Sequence, residues 1–150
     1  MVISSYLLRA KPLYEKKELM RILAWDEFDR CIERITHLCR KQKFCGVYGF
    51  PRGGLCLAVA LSHSLNIPLL KKYKTGCLVV DDVYETGRTL REVEGISTIT
   101  TYVWLSKVQP DWWNAVEISD ATEWLVFPWE NIEFAKIDEK AYQISRKLPE

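Results

Sequence analysis

The 150-residue sequence has no apolar run near the roughly 18 residues that a bilayer-spanning helix needs. It has no internal repeat, no low-complexity tract and no Gly/Ser-rich linker, so one domain with its own core is expected. The five cysteines include no CxxC pair, and their number is odd. Each lies in an apolar run, so they read as small core hydrophobes in a reducing compartment, not as a disulfide frame or zinc site. The opening stretch MVISSYLLRAKPLYEKK lacks a basic start followed by a long apolar core, so no signal peptide is evident. The expectation is a soluble, cytoplasmic protein. Excess charge is also missing: the formal net charge is +1, which argues against a dedicated nucleic-acid binder. Basic residues gather only at Arg40–Lys43, read as a solvated element end, and at Lys71–Lys74.

What is present is an alternation of short apolar strands and helical patterns, the mark of a doubly wound α/β domain with a parallel sheet. Residues 1–24 read as a peripheral N-terminal arm, 25–105 as the core, 106–136 as a small C-terminal hood and 137–150 as a polar surface tail. From Trp25, the residues Phe28, Ile32, Ile35 and Cys39 recur at helical spacing behind Asp26 and Glu27. Strands are expected at Cys45–Phe50, Pro68–Leu70, Gly76–Val80 and Ile99–Leu105. Leu55–Leu65 is apolar almost all round, which suits a helix buried against a sheet. Asn66 and the pre-proline Ile67 end it. Past Ser106, four tryptophans (Trp112, Trp113, Trp124, Trp129) crowd an irregular cap with brief strand-like pieces near Ala115–Ile118 and Leu125–Phe127.

In open α/β sheets ligands bind outside the carboxyl ends of the strands, and two strand ends here carry unusual residues. The first is Val79-Val80-Asp81-Asp82-Val83-Tyr84-Glu85-Thr86-Gly87-Arg88-Thr89. Three acids so close at a buried strand end repel one another unless a cation or a polyol shares them. Glu85–Thr89 then offers two hydroxyls, a glycine and successive backbone N–H groups running into a helix, which is a cradle for an anion. Diol-binding acids followed by a phosphate cradle describe a receptor for a sugar phosphate. The second strand end is Phe50-Pro51-Arg52-Gly53-Gly54, where two glycines allow close backbone approach and Arg52 offers a bidentate oxyanion donor.

The string CLVVDDVYETGRTL (Cys77–Leu90) resembles the donor-binding signature of the type I phosphoribosyltransferases. That resemblance implies that Asp81 and Asp82 hold the ribose hydroxyls of phosphoribosyl pyrophosphate (PRPP), directly or through Mg2+. It implies further that Glu85, Thr86, Gly87, Arg88 and Thr89 bind the 5′-phosphate, and that Arg52, Gly53 and Gly54 form the pyrophosphate loop. In that family the loop has a cis peptide before its basic residue. Here the peptide entering Pro51 is the one that goes cis cheaply. An acid at position 85 marks family members acting on 6-oxopurines, where it takes the N7 proton. The C-terminal stretch, Leu105-Ser106-Lys107 and then Glu123-Trp-Leu-Val-Phe-Pro-Trp-Glu130, is similar to the bacterial xanthine–guanine enzymes. By that likeness Lys107 binds the purine O6, Trp124 stacks on the base and the Leu125 carbonyl meets an exocyclic amine. The implied reaction is attack of purine N9 on C1′ as pyrophosphate leaves. The resemblance runs from about Trp25 to Trp129.

One departure bears on turnover. The family carries a mobile loop between its second and third strands, whereas only Lys71–Thr75 separates Leu70 from Gly76 here. Lids exclude water from a reactive centre. The short link leaves open that Lys71–Lys74 reaches the pyrophosphate, that a partner subunit or the N-terminal arm covers the site, or that turnover is slow or absent. Another base or metabolite as acceptor, or a non-catalytic PRPP or nucleotide sensor, are the alternative readings. Family members are generally oligomeric, and the Trp112–Trp113 pair, read as exposed, leans toward a homodimer.

Overall fold

The computed structural model describes residues 20–147. Its centre is a four-stranded parallel sheet in the order β2 (Val47–Gly49), β3 (Leu78–Tyr84), β4 (Thr100–Ser106), β5 (Asn114–Ile118). A single parallel bridge joins Val47 to Leu69 on the outer side of β2, so the expected strand at Pro68–Leu70 shrinks to one pairing. The chain therefore leaves β2 outward to Leu69 and returns to the other side of β2 as β3. That reversal is the switch point at which such sheets bind ligands.

The central strand shows why its sequence is apolar throughout. Leu78 and Val80 point into a core shared with the helices, and Cys77 and Val79 into a second cluster on the opposite face. All four are fully buried. On the first face lie helices α1 (Trp25–Cys39) and α2 (Gly53–Leu65). Helix α1 buries Phe28, Cys31, Ile35 and Cys39, one stripe at three- and four-residue steps. The Glu27 carboxylate accepts the Ala24 N–H at 2.8 Å at its start. Helix α2 ends at Asn66 in the left-handed region (φ 52°), with the Ile67 N–H closing back on the Ser62 carbonyl at 3.0 Å. Among the described residues the opposite face carries no full helix. It is covered by a 3-10 turn, Leu90–Val93, with Phe50, Val103 and Trp113.

Several expectations are corrected. Residues 114–118 join the main sheet as its fourth strand instead of forming part of an irregular cap. The sheet can recruit them because β4, buried along its length, would otherwise expose its ladder edge. Part of the expected N-terminal arm is strand β1 (Met20–Ile22), paired in parallel with β6 (Trp124–Val126) as a second small sheet. Arg21 ties it in, donating to Glu117 at 2.6 Å and to Glu27 at 3.3 Å. Residues 1–19 of the arm lie outside the described residues. The polar stretch expected as a surface tail continues a helix, α3 (Ile132–Lys147), started by the Asn131 side chain accepting the Glu133 and Phe134 N–H groups. Trp113 is buried, stacked on Tyr84 at 3.6 Å and 10°, so it forms no exposed pair with Trp112. Helix α2 is buried on one side only: Leu55 and Val59 face outward, because sheet and α1 together cover a single face. Cys45 is likewise exposed, while Cys31, Cys39 and Cys77 are core residues and all five thiols are free. Among the described residues no helix is long and apolar enough to cross a membrane.

The two sides of α2 give a direct test of this packing. Leu61→Ala, at a fully buried position, should cost about 2–5 kcal/mol of unfolding free energy, whereas Val59→Ala should stay within about 0.5 kcal/mol of the parent. Urea titrations of the two variants read the difference.

Candidate functional site

The ends of β2 and β3 lie side by side at the switch point, held by the Phe50 N–H donating to the Val80 carbonyl at 3.1 Å. Past Phe50 the chain turns through Pro51 and Arg52 into α2. The cis peptide is the one between Pro51 and Arg52, ahead of the basic residue, and not the one entering Pro51. The glycines are required by crowding. A Cβ on Gly53 would fall on the Asp82 carboxylate, and one on Gly54 would come within 2.7 Å of the Val80 carbonyl oxygen. The turn thus rests its backbone against the acid pair.

Asp81 and Asp82 belong to the strand itself, since β3 runs on to Tyr84 instead of stopping at Val80. Both Oδ1 atoms are engaged locally: Asp81 accepts the Asp82 N–H at 2.9 Å, and Asp82 accepts the Val83 N–H at 2.8 Å. Asp81 is only 6% exposed. Burial, then the adjacent Asp82 carboxylate, pushes the Asp81 carboxyl up to about 8. Burial raises Asp82 as well, opposed by the Val83 N–H. A buried carboxylate and a half-buried one beside it resist carrying two charges without a positive or hydrogen-donating partner.

After Tyr84 the chain loops through 85–89. Gly87 adopts φ +74°, and a side chain there would collide with the Tyr84 hydroxyl. Thr86 Oγ1 accepts the Arg88 N–H at 3.4 Å. The helix expected from Thr89 is only the four-residue 3-10 turn, so an anion here would meet loop N–H groups with little helix dipole behind them. Arg52, Gly53, Asp81, Asp82, Glu85, Thr86, Gly87, Arg88 and Thr89 line one cleft of about 310 Å³. Gly54 packs beneath it, against Asp81. None of Lys71–Thr75 lines this cleft; Tyr73 packs instead on Tyr48 and Phe50 and donates to Glu92 at 3.3 Å.

A second group sits at the far end of the loop. Lys107 follows β4, its N–H bonded to the Tyr84 carbonyl at 2.8 Å. Its side chain is 6% exposed and its Nζ meets Glu85 Oε1 at 3.2 Å. Trp124 begins β6, with the buried Leu125 next to it. Neither Lys107, Trp124 nor Leu125 lines the 310 Å³ cleft, so the expected contacts separate into a donor side and a second side linked through Glu85.

Three residues were not singled out by sequence reasoning. Tyr142, in α3, donates to Glu85 Oε1 at 3.2 Å and faces Trp124. Glu130 accepts the Phe127 N–H at 2.7 Å, and with Asp138 it lines a second cavity of about 480 Å³ that shares Arg52 and Asp82. Burial first, then Asp82 and Asp138, raises the Glu130 carboxyl above the usual range. Glu130 stands in a quoted motif, but Tyr142 carries no local signal beyond its helical pattern.

No group of three or more His, Cys, Asp or Glu side chains that could hold a metal ion exists among the described residues. Two hard carboxylates with raised pKa values do fit a divalent cation whose remaining ligands come from substrate oxygens and water, the usual manner for Mg2+.

No family model matches the chain. It is 25% identical over 134 residues to the xanthine-guanine phosphoribosyltransferase of Chromohalobacter salexigens, covering 72% of this chain and 82% of that protein. The purine phosphoribosyltransferase of Pyrococcus horikoshii is 31% identical, with a TM-score of 0.61 over 75% of this chain and 95% of that one. The xanthine-guanine-hypoxanthine phosphoribosyltransferase of Helicobacter pylori shares the fold at 17% identity, with a TM-score of 0.59 over 79% of this chain and 98% of that one.

The acid pair predicts a pH signature for the metal-free protein. Unfolded Asp81 ionises near pH 4, while the folded carboxyl holds its proton to about 8, so between those values the folded chain binds more protons. Stability should be greatest at the acid end of that window and decline as pH rises through it. Asp81→Asn should flatten the slope, which thermal unfolding across the window measures.

Proposed function

This chain belongs to the type I phosphoribosyltransferase family, and we propose that it transfers the phosphoribosyl group of PRPP to a 6-oxopurine (guanine, xanthine or hypoxanthine), releasing pyrophosphate. The observation that carries the reading is the cleft in which the Asp81–Asp82 pair, a glycine-backed Arg52 turn and the 85–89 loop converge. The Pyrococcus purine enzyme and the Chromohalobacter xanthine-guanine enzyme, matched over most of their lengths, favour a purine acceptor and a salvage role.

In this reading Asp81 and Asp82 receive the ribose hydroxyls and Mg2+. Their raised pKa values mean that a cation or diol donors recover the cost of ionising both. Mg2+ supplies screening of the charge that develops on the departing pyrophosphate. Arg52 and the Gly53 and Gly54 backbone hold the pyrophosphate, and residues 85–89 hold the 5′-phosphate through loop N–H groups and hydroxyls. Glu85 accepts the acceptor's N7 proton. Its ion pair with Lys107 at 3.2 Å keeps the carboxylate available as a base, while Lys107 offers a point charge to the purine O6. Trp124 supplies a flat face for the base, and the Leu125 carbonyl an acceptor for an exocyclic amine.

The free thiols suit a reducing, cytoplasmic setting. A homodimer is part of the proposal, supported now by the apolar outward side of α2, Leu55 and Val59, in place of Trp112–Trp113. A second reading, a PRPP or nucleotide sensor without turnover, is favoured by one observation: the link Lys71–Thr75 lies away from the cleft and closes nothing over it.

Two variants test the assignment. Asp81→Asn/Asp82→Asn should fold normally by near-UV circular dichroism and lose nucleotide formation about 100-fold or more, equivalent to roughly 3 kcal/mol of transition-state stabilisation. Full activity in that double variant sinks the donor assignment. Glu85→Gln should lower kcat on the order of 100-fold while leaving the KM for PRPP nearly unchanged. Tight PRPP binding by calorimetry with no pyrophosphate released for any base would establish the sensor reading instead.

A further inference from the structure

A phenol ring stands where the acceptor base is expected. The Tyr142 hydroxyl donates to Glu85 Oε1 at 3.2 Å, and its ring centroid lies 5.1 Å from that of Trp124, the planes 43° apart. Lys107 Nζ meets the same Glu85 oxygen at 3.2 Å. Two of the three side chains that the proposed function gives to the base, Glu85 and Trp124, therefore meet this tyrosine, and the third, Lys107, shares its Glu85 oxygen. A base stacked on Trp124 with its proton directed at Glu85 has to span the same two groups that this phenol spans. Two flat rings cannot share that space at close-packed density.

We propose that Tyr142 is the acceptor-specificity gate of this protein: in the free chain it occupies the acceptor position, and a base enters by displacing it. The inference rests on the acceptor side of the proposed function, and on geometry that the family resemblance, ending near Trp129, does not reach. The element that carries Tyr142 is suited to yielding. Helix α3 is anchored near its start, where Asn131 caps it and Ala135 is buried, and it packs against β6. Farther along, Ile137 and Ile144 are exposed, so little apolar burial opposes movement of its last turns.

Displacement sets what can enter. A base must match two of the contacts it displaces: a π-face for Trp124 and an N–H for the Glu85 carboxylate. A 6-oxopurine offers both and adds an oxygen for Lys107. A ring that only stacks leaves the Glu85 oxygen short of the donor it had. One hydrogen bond to a charged acceptor together with one aromatic pair is worth about tenfold in affinity or more. The gate therefore raises the KM of every acceptor and penalises poor matches most.

The test compares the parent with Tyr142→Ala and Tyr142→Phe. Removing the ring should lower the KM for hypoxanthine about tenfold with the KM for PRPP unchanged. Tyr142→Phe keeps the ring and loses only the hydroxyl, so its effect should be smaller and in the same direction. Binding without turnover gives a separate readout: calorimetry with hypoxanthine alone should show tighter binding to Tyr142→Ala than to the parent. Amide exchange over residues 139–147 of the parent should quicken when hypoxanthine is added. An unchanged or raised KM for hypoxanthine with a lowered kcat and melting temperature would overturn the gate and leave a structural tyrosine. Hypoxanthine binding no tighter in Tyr142→Ala, or absent in both proteins, would overturn it too. If the parent releases no pyrophosphate with any base yet Tyr142→Ala binds hypoxanthine more tightly, the gate stands and the catalytic reading fails.

Discussion

Two neighbouring carboxylates at the end of the central strand, Asp81 buried and Asp82 half-buried, are the constraint around which this fold is arranged. Asp81 is almost wholly enclosed and its carboxyl is pushed up to about 8, so the strand end stores an unmet demand for a cation or for donor groups. Nothing in β3 requires acids there for stability; apolar residues in their place would pack at lower electrostatic cost. The surroundings are fitted to them all the same. Gly53 has no side chain because the Asp82 carboxylate occupies the space a Cβ would need, and the first turn of α2 leans on Asp81 through Gly54. The crossover from β2 out to Leu69 and back to β3 opens the cleft at this point in the sheet.

The acceptor side is built on a different principle. Lys107 and Glu85 form a pair in which the lysine is buried and the carboxylate partly open, so that the acid has a fixed direction and a free side. Aromatic rings supply the rest. Trp104, Phe28, Phe127 and Trp129 interlock at centroid distances of 5.1 to 6.2 Å and brace the small β1–β6 sheet from which Trp124 projects. Tyr84, stacked on Trp113, fixes the start of the 85–89 loop and makes Gly87 obligatory. The two sides meet in Glu85, which lines the 310 Å³ cleft with one part of the loop and bonds Lys107 and Tyr142 with its carboxylate.

The parts legible in the sequence were those that local chemistry decides. An apolar run buried on both faces, two acids, a glycine-containing loop and a Pro-Arg-Gly-Gly turn each state their conformation within a few residues, so the parallel sheet and the convergence of these residues on one cleft could be read directly. What could not be read depends on partners distant in the chain. Strand β1 has three residues, and only pairing with 124–126 makes it a strand. Residues 114–118 read as a brief strand-like piece, but their place in the main sheet depends on the edge that β4 leaves open. Trp113 looked like a surface aromatic until Tyr84 provided its stacking partner. The stretch after Ile137 is polar enough to read as a tail, yet it forms a helix that brings Tyr142 to Glu85, a pairing 57 residues apart. The resemblance read from the sequence did not supply that residue either, because it runs only to about Trp129.

The measurement that bears most directly on the acid pair and the cleft around it is pyrophosphate release from PRPP by the unmodified chain. It should be run with Mg2+ and with a chelator, across guanine, xanthine, hypoxanthine, adenine, uracil and orotate. Release that requires Mg2+ and is fastest with one of the three 6-oxopurines is the predicted result. Release confined to uracil or orotate, or none with any base, would contradict the account.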